Sequence, residues 1–395
     1  MTTYLSLGER LAPTLRDSSA RLPIVIGGCG SGRTSLLLCL RNLLGGARVC
    51  QYVDFERIVS TPERFVQALV SRSPFAAEGI TRVSLPHAPR EAFDTAVRFF
   101  TNARTPDGRP ATFLVDELLE LRTFESFPGL RAVLDDLLRT VAHGLNKFVF
   151  TTRFVARARR LLRHFDEVEL VPMPPLSADL IGAELQADGE PGQEAAELAH
   201  DIHTLCDGRP AYVEALKHAL QQMRGTDPIS ALVALVEPGG ELHSRLRFSY
   251  ELRLHRARGY GALKAILDVL AQQEPLTLTE IAQRLHRTPG STKDYLSWLE
   301  DVDLLCTTRK RYTFADPLLR PWVRVNNQPD IPTSQEIAHE VQQYALARLT
   351  HFPRPTSLVA PAAPAAAGHS RTPPEEVLEQ PVGVRAPSGS IIDFD

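Results

Sequence analysis

The stretch "PIVIGGCGSGRTSLLLCLRNLL", Pro23 to Leu44, constrains this chain more than any other. An apolar run, a glycine-rich turn and a helical pattern of leucines follow one another directly, which is the order strand, loop, helix. Gly27, Gly32, Arg33 and Thr34 match the phosphate-binding pattern G-x-x-x-x-G-K-[ST], except that arginine stands in the lysine position. With arginine allowed, a chance match in a chain of this composition has a probability of roughly 2%. Glycines at 27, 28, 30 and 32 let successive backbone N–H groups turn toward a phosphate, and the following helix adds the positive end of its dipole. Gly27, Gly28, Cys29, Gly30, Ser31, Gly32, Arg33, Thr34 and Ser35 are therefore the expected anion cradle, with Cys29 a small filler in the loop.

Around this loop the pattern is that of an α/β unit. Five apolar runs, "LPIVIGG", "RVCQYVDF", "ATFLVDE", "KFVFTTR" and "EVELVPM", alternate with helical stretches such as "TPERFVQALVSR" and "GLRAVLDDLLRTVAHGL". That alternation predicts a mostly parallel sheet with flanking helices, a P-loop α/β domain over residues 1–178. Thr61, Pro62 and Glu63 mark one helix start. After "PPLSADL" the strand signal stops, and residues 179–256 read as a helical lid with a short loop from Asp207 to Pro210.

Residues 257–326 read as three helices and a two-stranded ribbon, the outline of a winged helix. Thr279 with Glu280 is the expected cap of its second helix, and Thr288, Pro289 and Gly290 the turn into its third. A C-terminal helix over 327–351 precedes a Pro/Ala-rich tail, 352–395. The tail buries too little apolar surface to offset its ordering entropy and is expected to be disordered. Its end, "GSIIDFD", is either a short partner-binding peptide or inert.

Composition excludes several classes. A net charge of −3 argues against coating nucleic acid or membranes through bulk charge. Cys29, Cys39, Cys50, Cys206 and Cys306 form no C-x-x-C pair, so neither a disulfide framework nor a zinc site is expected. The N-terminus carries charges where a secretory signal needs an apolar core, and the apolar runs fall far short of the roughly 20 residues that span a bilayer. A soluble, cytoplasmic chain without membrane contact is expected.

Two further strand ends carry chemistry. "ATFLVDELLEL" ends its apolar run in Asp116, suited to hold a Mg²⁺ shell, and Glu117, suited to orient and activate a water. "KFVFTTR" ends in Thr151, Thr152 and Arg153, and the carboxyl ends of parallel strands line the ligand crevice. Arg153 then either contacts a terminal phosphate or opens the next helix in solvent.

In this order, "GGCGSGRTS", "FLVDE", "FVFTTR", "VPMPPLS" and "CDGRPAYVEAL" resemble the STAND branch of the AAA+ ATPases, close to the archaeal-type ATPase family. "RYTFADPLLRPWVR" resembles the end of the same family, and the resemblance covers roughly residues 1–325. It implies an ATP/ADP switch in which nucleotide sits between α/β domain, lid and winged helix and controls their packing, oligomerisation or partner binding. By position it makes Thr34 a Mg²⁺ ligand supported by Asp116, Glu117 the catalytic base, Arg153 the strand-end sensor and Pro210 a neighbour of the adenine. One departure from the resemblance is that the large C-terminal sensor repeats of many relatives have no counterpart in these 395 residues. The other departure is Arg33. An arginine meets phosphate through a planar fork and a lysine as a point charge, so binding survives while transition-state geometry suffers. The expectation is ATP binding with slow or partner-stimulated hydrolysis, and a non-hydrolysing sensor is the alternative. The intact Glu117 favours some hydrolysis.

DNA association is a further alternative. Arg157, Arg159, Arg160 and Arg163 form a basic run, and Arg309, Lys310 and Arg311 a basic ribbon. The expected recognition helix, "STKDYLSWLEDVDLL", opposes it with Asp294, Glu300, Asp301 and Asp303. These arginines serve DNA or an interface, and the winged helix serves as a packing module that senses nucleotide state.

Overall fold

The structure, a computed structural model, describes residues 2–15, 21–45, 49–80, 86, 88–223, 225–256, 259–328 and 330–352. The expected tail from residue 353 onward, with its "GSIIDFD" end, lies outside them. Among the described residues no helix is long and apolar enough to cross a membrane.

All five expected strands form: β1 (Leu22–Ile26), β2 (Cys50–Asp54), β3 (Thr112–Asp116), β4 (Lys147–Thr152) and β5 (Val168–Pro172). They pair in parallel in the order β2-β3-β4-β1-β5. The helices of this part are α1 (Thr2–Thr14), α2 (Arg33–Leu44), α3 (Phe55–Ile58), α4 (Pro62–Ser71), α5 (Pro89–Asn102), α6 (Val133–Ala142) and α7 (Val155–Leu162). Thr61 caps α4 as expected, its hydroxyl accepting from Arg64 N at 3.3 Å.

Strand side chains alternate between two cores. Ile24, Ile26, Phe113, Val115, Phe148 and Phe150 face one, while Val25, Leu114, Val149 and Val171 face the other beneath α1 and α2. Burial on both faces is why these strands read as continuous apolar runs. On the first face Phe113 stacks on Phe148 at 5.2 Å and Phe148 on Phe150 at 5.5 Å. Each such fully buried ring contributes about 1.5–3 kcal/mol.

The helical part comprises α8 (Ala178–Ala187), α9 (Gly192–Cys206), α10 (Pro210–Gln222), α11 (Pro228–Val236) and α12 (Glu241–Arg256). It continues through α13 (Tyr260–Gln272), α14 (Leu278–Arg284), α15 (Pro289–Asp301), α16 (Leu319–Asn326) and α17 (Ser334–His351). The short strands β6 (Leu276–Thr277), β7 (Leu305–Thr308) and β8 (Arg311–Phe314) form an antiparallel sheet in the order β6-β8-β7. The ribbon therefore has a third strand beyond the two expected. One apolar core runs from Leu176 to Ala345, so these helices and the ribbon fold together.

Two local details differ in kind. The cap of α14 is Thr277, not Thr279: Thr277 and Glu280 make a reciprocal capping box, with Thr277 N donating to Glu280 Oε2 at 2.6 Å. The three-residue spacing from hydroxyl to carboxylate decides this, because only Thr277 reaches the N3 amide. Thr288 does cap α15 with Pro289 behind it, as expected. At the ribbon tip Arg309 and Lys310 both hold positive φ, 51° and 63°, the backbone of a two-residue hairpin turn that usually recruits Asn or Gly.

Candidate functional site

The strand order places the carboxyl ends of β1, β4 and β3 side by side, so the loop after β1 meets Asp116, Glu117 and Thr151 to Arg153. Gly32, with φ 85°, turns the chain from loop into α2, a backbone setting that costs glycine least. Gly27 N donates to Thr152 O at 3.3 Å and fastens the loop to β4. Thr152 itself is buried, its hydroxyl accepting from Phe154 N at 3.3 Å, and it steadies the strand end.

Asp116 is buried and collects three hydroxyls. Thr34 Oγ1 donates to Oδ2 at 2.6 Å, Tyr52 OH donates to Oδ2 at 3.0 Å, and Thr151 Oγ1 donates to Oδ1. Asp54, opposite Asp116 across the β2–β3 register, adds a second carboxylate, and among the described residues its buried Oδ1 has no hydrogen-bond partner. Burial, then the Asp116 charge, pushes the Asp54 carboxyl above its usual range, and the same two causes push up the Tyr52 phenol.

Arg33 folds back over its own loop. Nη1 donates to the Gly27 carbonyl, to the Gly28 carbonyl at 2.5 Å and to Ser31 Oγ at 3.0 Å. Nη2 donates to Glu117 Oε1 at 2.7 Å, with both side chains over nine-tenths buried, and among the described residues the buried Arg33 Nε has no hydrogen-bond partner. Glu117 Oε2 accepts from Arg153 N at 3.1 Å, so both oxygens of the expected base are engaged. Glu117 also holds a left-handed backbone, φ 58°, at a position where such strain favours a functional constraint.

Arg153 lies at this strand end but is committed to carboxylates. Nη2 donates to Glu56 Oε1 at 2.5 Å and to Glu120 Oε1 at 2.8 Å. Burial works against its charge, yet Glu117, Glu56 and Glu120 outweigh it and hold the guanidinium above its ordinary value. Pro210 begins α10, and the next residue, Ala211, donates its N–H to Gly30 O at 3.1 Å, tying α10 to the loop. Gly208 makes this approach feasible: at φ 59°, a Cβ there would lie 2.5 Å from Leu176 O.

The basic runs are divided. Arg160 pairs with Asp301 of α15 at 2.5 Å, and among the described residues the buried Arg157 Nε has no hydrogen-bond partner. Arg159 and Arg163 are exposed. Arg311 donates to Pro275 O at 3.2 Å and lies 3.7 Å from Glu280, and it is exposed, as are Arg309 and Lys310. Asp301, which counted against a phosphate-facing helix, is instead spent on joining α15 to α7.

Several site residues were not singled out by sequence reasoning. Arg209 Nη1 donates to Cys29 O at 3.2 Å and lies 3.5 Å from Asp316 Oδ2, which also receives the Tyr212 hydroxyl. Arg253 Nη1 donates to Asp303 O at 2.5 Å. Arg209 and Asp316 stand inside motifs quoted above and Asp54 ends an expected strand, so signals existed for them. For Arg253 there is none.

Asp303 has φ 59° and is almost wholly buried, its Oδ2 3.1 Å from where a Cβ on Gly28 would sit. Burial pushes its carboxyl up to about 6, against the pull of Arg253, Arg209 and Arg33. A carboxyl raised on folding favours the folded state below its unfolded pKa, and that contribution is lost as pH rises through the folded value. Between pH 4 and 6, Asp303 therefore costs stability at up to about 1.4 kcal/mol per pH unit. Urea unfolding of the native chain and Asp303→Asn at pH 4.5 and pH 7 checks this. The variant's stability relative to native should be higher at pH 7; an unchanged difference contradicts it.

Two cavities meet at the loop. A cleft of about 1300 Å³ runs from Gly30, Thr34 and Ser35 along α2 to Leu43, with Pro210, Glu214 and His218 of α10 opposite. A smaller cavity of about 180 Å³ lies against Cys29, Gly30, Arg153 and one face of α12.

No protein-family model matches the chain, and no curated protein matches it by sequence. Among solved structures, the Walker-type ATPase of Pyrococcus abyssi superposes with a TM-score of 0.57 at 17% identity, over 80% of this chain and 94% of that one. Drosophila ORC bound to DNA gives a TM-score of 0.39 at 14% identity over 86% and 85% of the two chains. The RuvB Holliday junction branch migration motor of Thermotoga maritima gives 0.35 at 13% over 78% and 90%. At these identities the likeness is one of fold. Strand order, parallel pairing and the loop after β1 give this chain the P-loop AAA+ α/β fold.

Proposed function

We propose that the chain is an ATP-binding switch of the STAND type with slow or partner-stimulated hydrolysis. The observation that carries this reading is the hydrogen bond from Thr34 to Asp116 at 2.6 Å, which closes the loop onto the acidic strand end across 82 residues. Loop amides and the α2 N-terminus bind the phosphates, Arg33 supplies their counter-charge, and Glu117 takes the proton of the attacking water. The large cleft along α2 suits the nucleoside.

Magnesium fits this site. The donors are hard oxygens, Asp54 Oδ1 is buried without a partner beside Asp116, and among the described residues no His, Cys, Asp and Glu group could hold a metal unaided. That matches an ion that takes most of its ligands from phosphates and water. Thr34 and Asp116 would hold it, and when bound it neutralises charge on the transferred phosphoryl group.

Arg33 distinguishes a switch from a constitutive ATPase. While it bonds Glu117, the base has no free oxygen, so nucleotide binding must first draw the guanidinium to the phosphates. The winged helix supports the switching part of the reading, because Arg209, Arg253, Asp303 and Asp316 bridge it to the loop. A second reading, DNA association through the ribbon tip, is favoured by the exposure of Arg309 and Lys310 on strained backbone.

One experiment separates these readings. The full chain is purified, its bound nucleotide is identified, and its mass in solution and its retention on DNA at low salt are compared with ADP and with a non-hydrolysable ATP analogue. The switch reading expects bound adenine nucleotide and a mass or shape that differs between the two states. No nucleotide and no binding of either ligand contradicts it. DNA retention lost on reversing Arg309 and Lys310 favours the second reading.

A further inference from the structure

A third cavity, of about 320 Å³, lies between α16 and α17, and none of its lining residues belongs to the glycine-rich loop. Its volume falls at the small end of the roughly 300–1,000 Å³ that ligand sites occupy. Pro317, Pro321 and the Tyr344 ring give it a wall for the flat or apolar body of a ligand. Arg320, Arg324 and Arg348 line it against only two carboxylates, Glu274 and Glu340, an excess of positive charge that suits an anion.

The arginines are only partly engaged. Arg320 Nε donates to Ala271 O at 3.1 Å and lies 3.5 Å from Glu274, whose carboxyl burial pushes above its usual range. Arg324 Nη1 donates to Glu340 Oε1 at 2.9 Å. Arg348 Nε donates to Thr204 O at 2.7 Å and its Nη2 to Asp207 Oδ1 at 2.9 Å. Among the described residues Arg320 Nη1, Arg324 Nη2 and Arg348 Nη1 have no hydrogen-bond partner. Their side chains are 32, 31 and 22% exposed, so a solute reaches all three. Three planar forks with donors to spare match the oxygens of a dianion, and a monoanion gains less against Glu274 and Glu340.

We infer that this cavity is a second ligand site, for a small phosphate ester, and, resting on the ATP-binding reading, that its occupant sets how tightly the loop holds nucleotide. Two covalent neighbours carry the coupling. Arg348 and Tyr344 donate to the last carbonyls of α9, Thr204 O and Leu205 O, and Arg348 also holds Asp207, which ends that helix at φ 55°. Two residues on, Arg209 donates to Cys29 O, and Ala211 N donates to Gly30 O. On the other wall, Pro317 follows Asp316, which holds Arg209 and the Tyr212 hydroxyl. A phosphate that draws Arg348 away from Asp207 therefore loosens the segment that grips the loop.

The full chain is saturated with ADP and magnesium, which fills the loop, and titrated by calorimetry with phenyl phosphate, inorganic phosphate and benzoate. Phenyl phosphate should bind, inorganic phosphate more weakly, and benzoate not at all. Arg324→Gln should weaken phenyl phosphate about tenfold, the scale of one lost charge-assisted hydrogen bond, and Arg324→Lys should recover part of the loss. Arg159→Gln, at an exposed position of α7, should change nothing. With phenyl phosphate saturating, ADP should bind about fivefold more weakly, and by reciprocity ADP should weaken phenyl phosphate by the same factor. No binding of phenyl phosphate, or an equal affinity in Arg324→Gln, overturns the site. Unchanged or tighter ADP binding overturns the coupling. A chain that binds phenyl phosphate through Arg324 but binds no ADP sinks the switch reading and leaves this site standing.

Discussion

Replacing Arg33 by lysine is expected to accelerate phosphate release by up to about a hundredfold, the scale of a catalytic group brought back into place. In the native chain the guanidinium bonds two carbonyls of its own loop and Glu117 together. A planar fork with five donors can hold such a set at once, whereas an ammonium acts as a point charge that follows the phosphates. Lysine should release Glu117 and keep the counter-charge that nucleotide binding needs. Steady-state phosphate release with saturating ATP and magnesium checks this, with affinity measured separately. Unchanged release with nucleotide still bound would mean that the Arg33 to Glu117 contact does not limit turnover.

Glu117→Gln should reduce release to the level of buffer alone. In the Arg33→Lys background, where there is more activity to lose, the drop should be on the order of a thousandfold, within the range for removing a general base. Glutamine keeps the shape, its one carbonyl oxygen accepts from either Arg33 or Arg153 N but not at both positions, and it takes no proton. ATP affinity should therefore be nearly preserved. Breaking a buried ion pair outright costs about 3–5 kcal/mol. The loss here should be smaller, because the Gly27 and Gly28 carbonyls still hold Arg33. Persistent hydrolysis in the Glu117→Gln chain would show that another group activates the water.

The parts of this site that could be read from the chain are those written locally. β1, β3 and β4 announce themselves as apolar runs ending in glycines, in Asp116 with Glu117 and in Thr152 with Arg153, because burial on both sheet faces leaves no polar alternation to confuse them. The contact from Arg33 to Glu117 spans 84 residues, and no local rule predicts whether an arginine turns to phosphate or to a carboxylate. Arg253 sits in a charged helix whose pattern resembles any solvated surface. Asp303 looked like one more acidic residue of a helix too negative for DNA. Its burial against Gly28 depends on how the ribbon region folds over the loop, which is a tertiary fact. The cap at Thr277 is legible too, since the spacing to Glu280, not the adjacency of Thr279, determines a cap.

If Glu117 is the base proposed above, Arg33 restrains it, and a double-mutant comparison of phosphate release decides the point. Native chain, Arg33→Lys, Glu117→Gln and the double variant are measured under one set of conditions. The gain from Arg33→Lys should be present in the native background and absent when Glu117→Gln accompanies it. A gain that persists without Glu117, or a native rate already equal to that of Arg33→Lys, would contradict it.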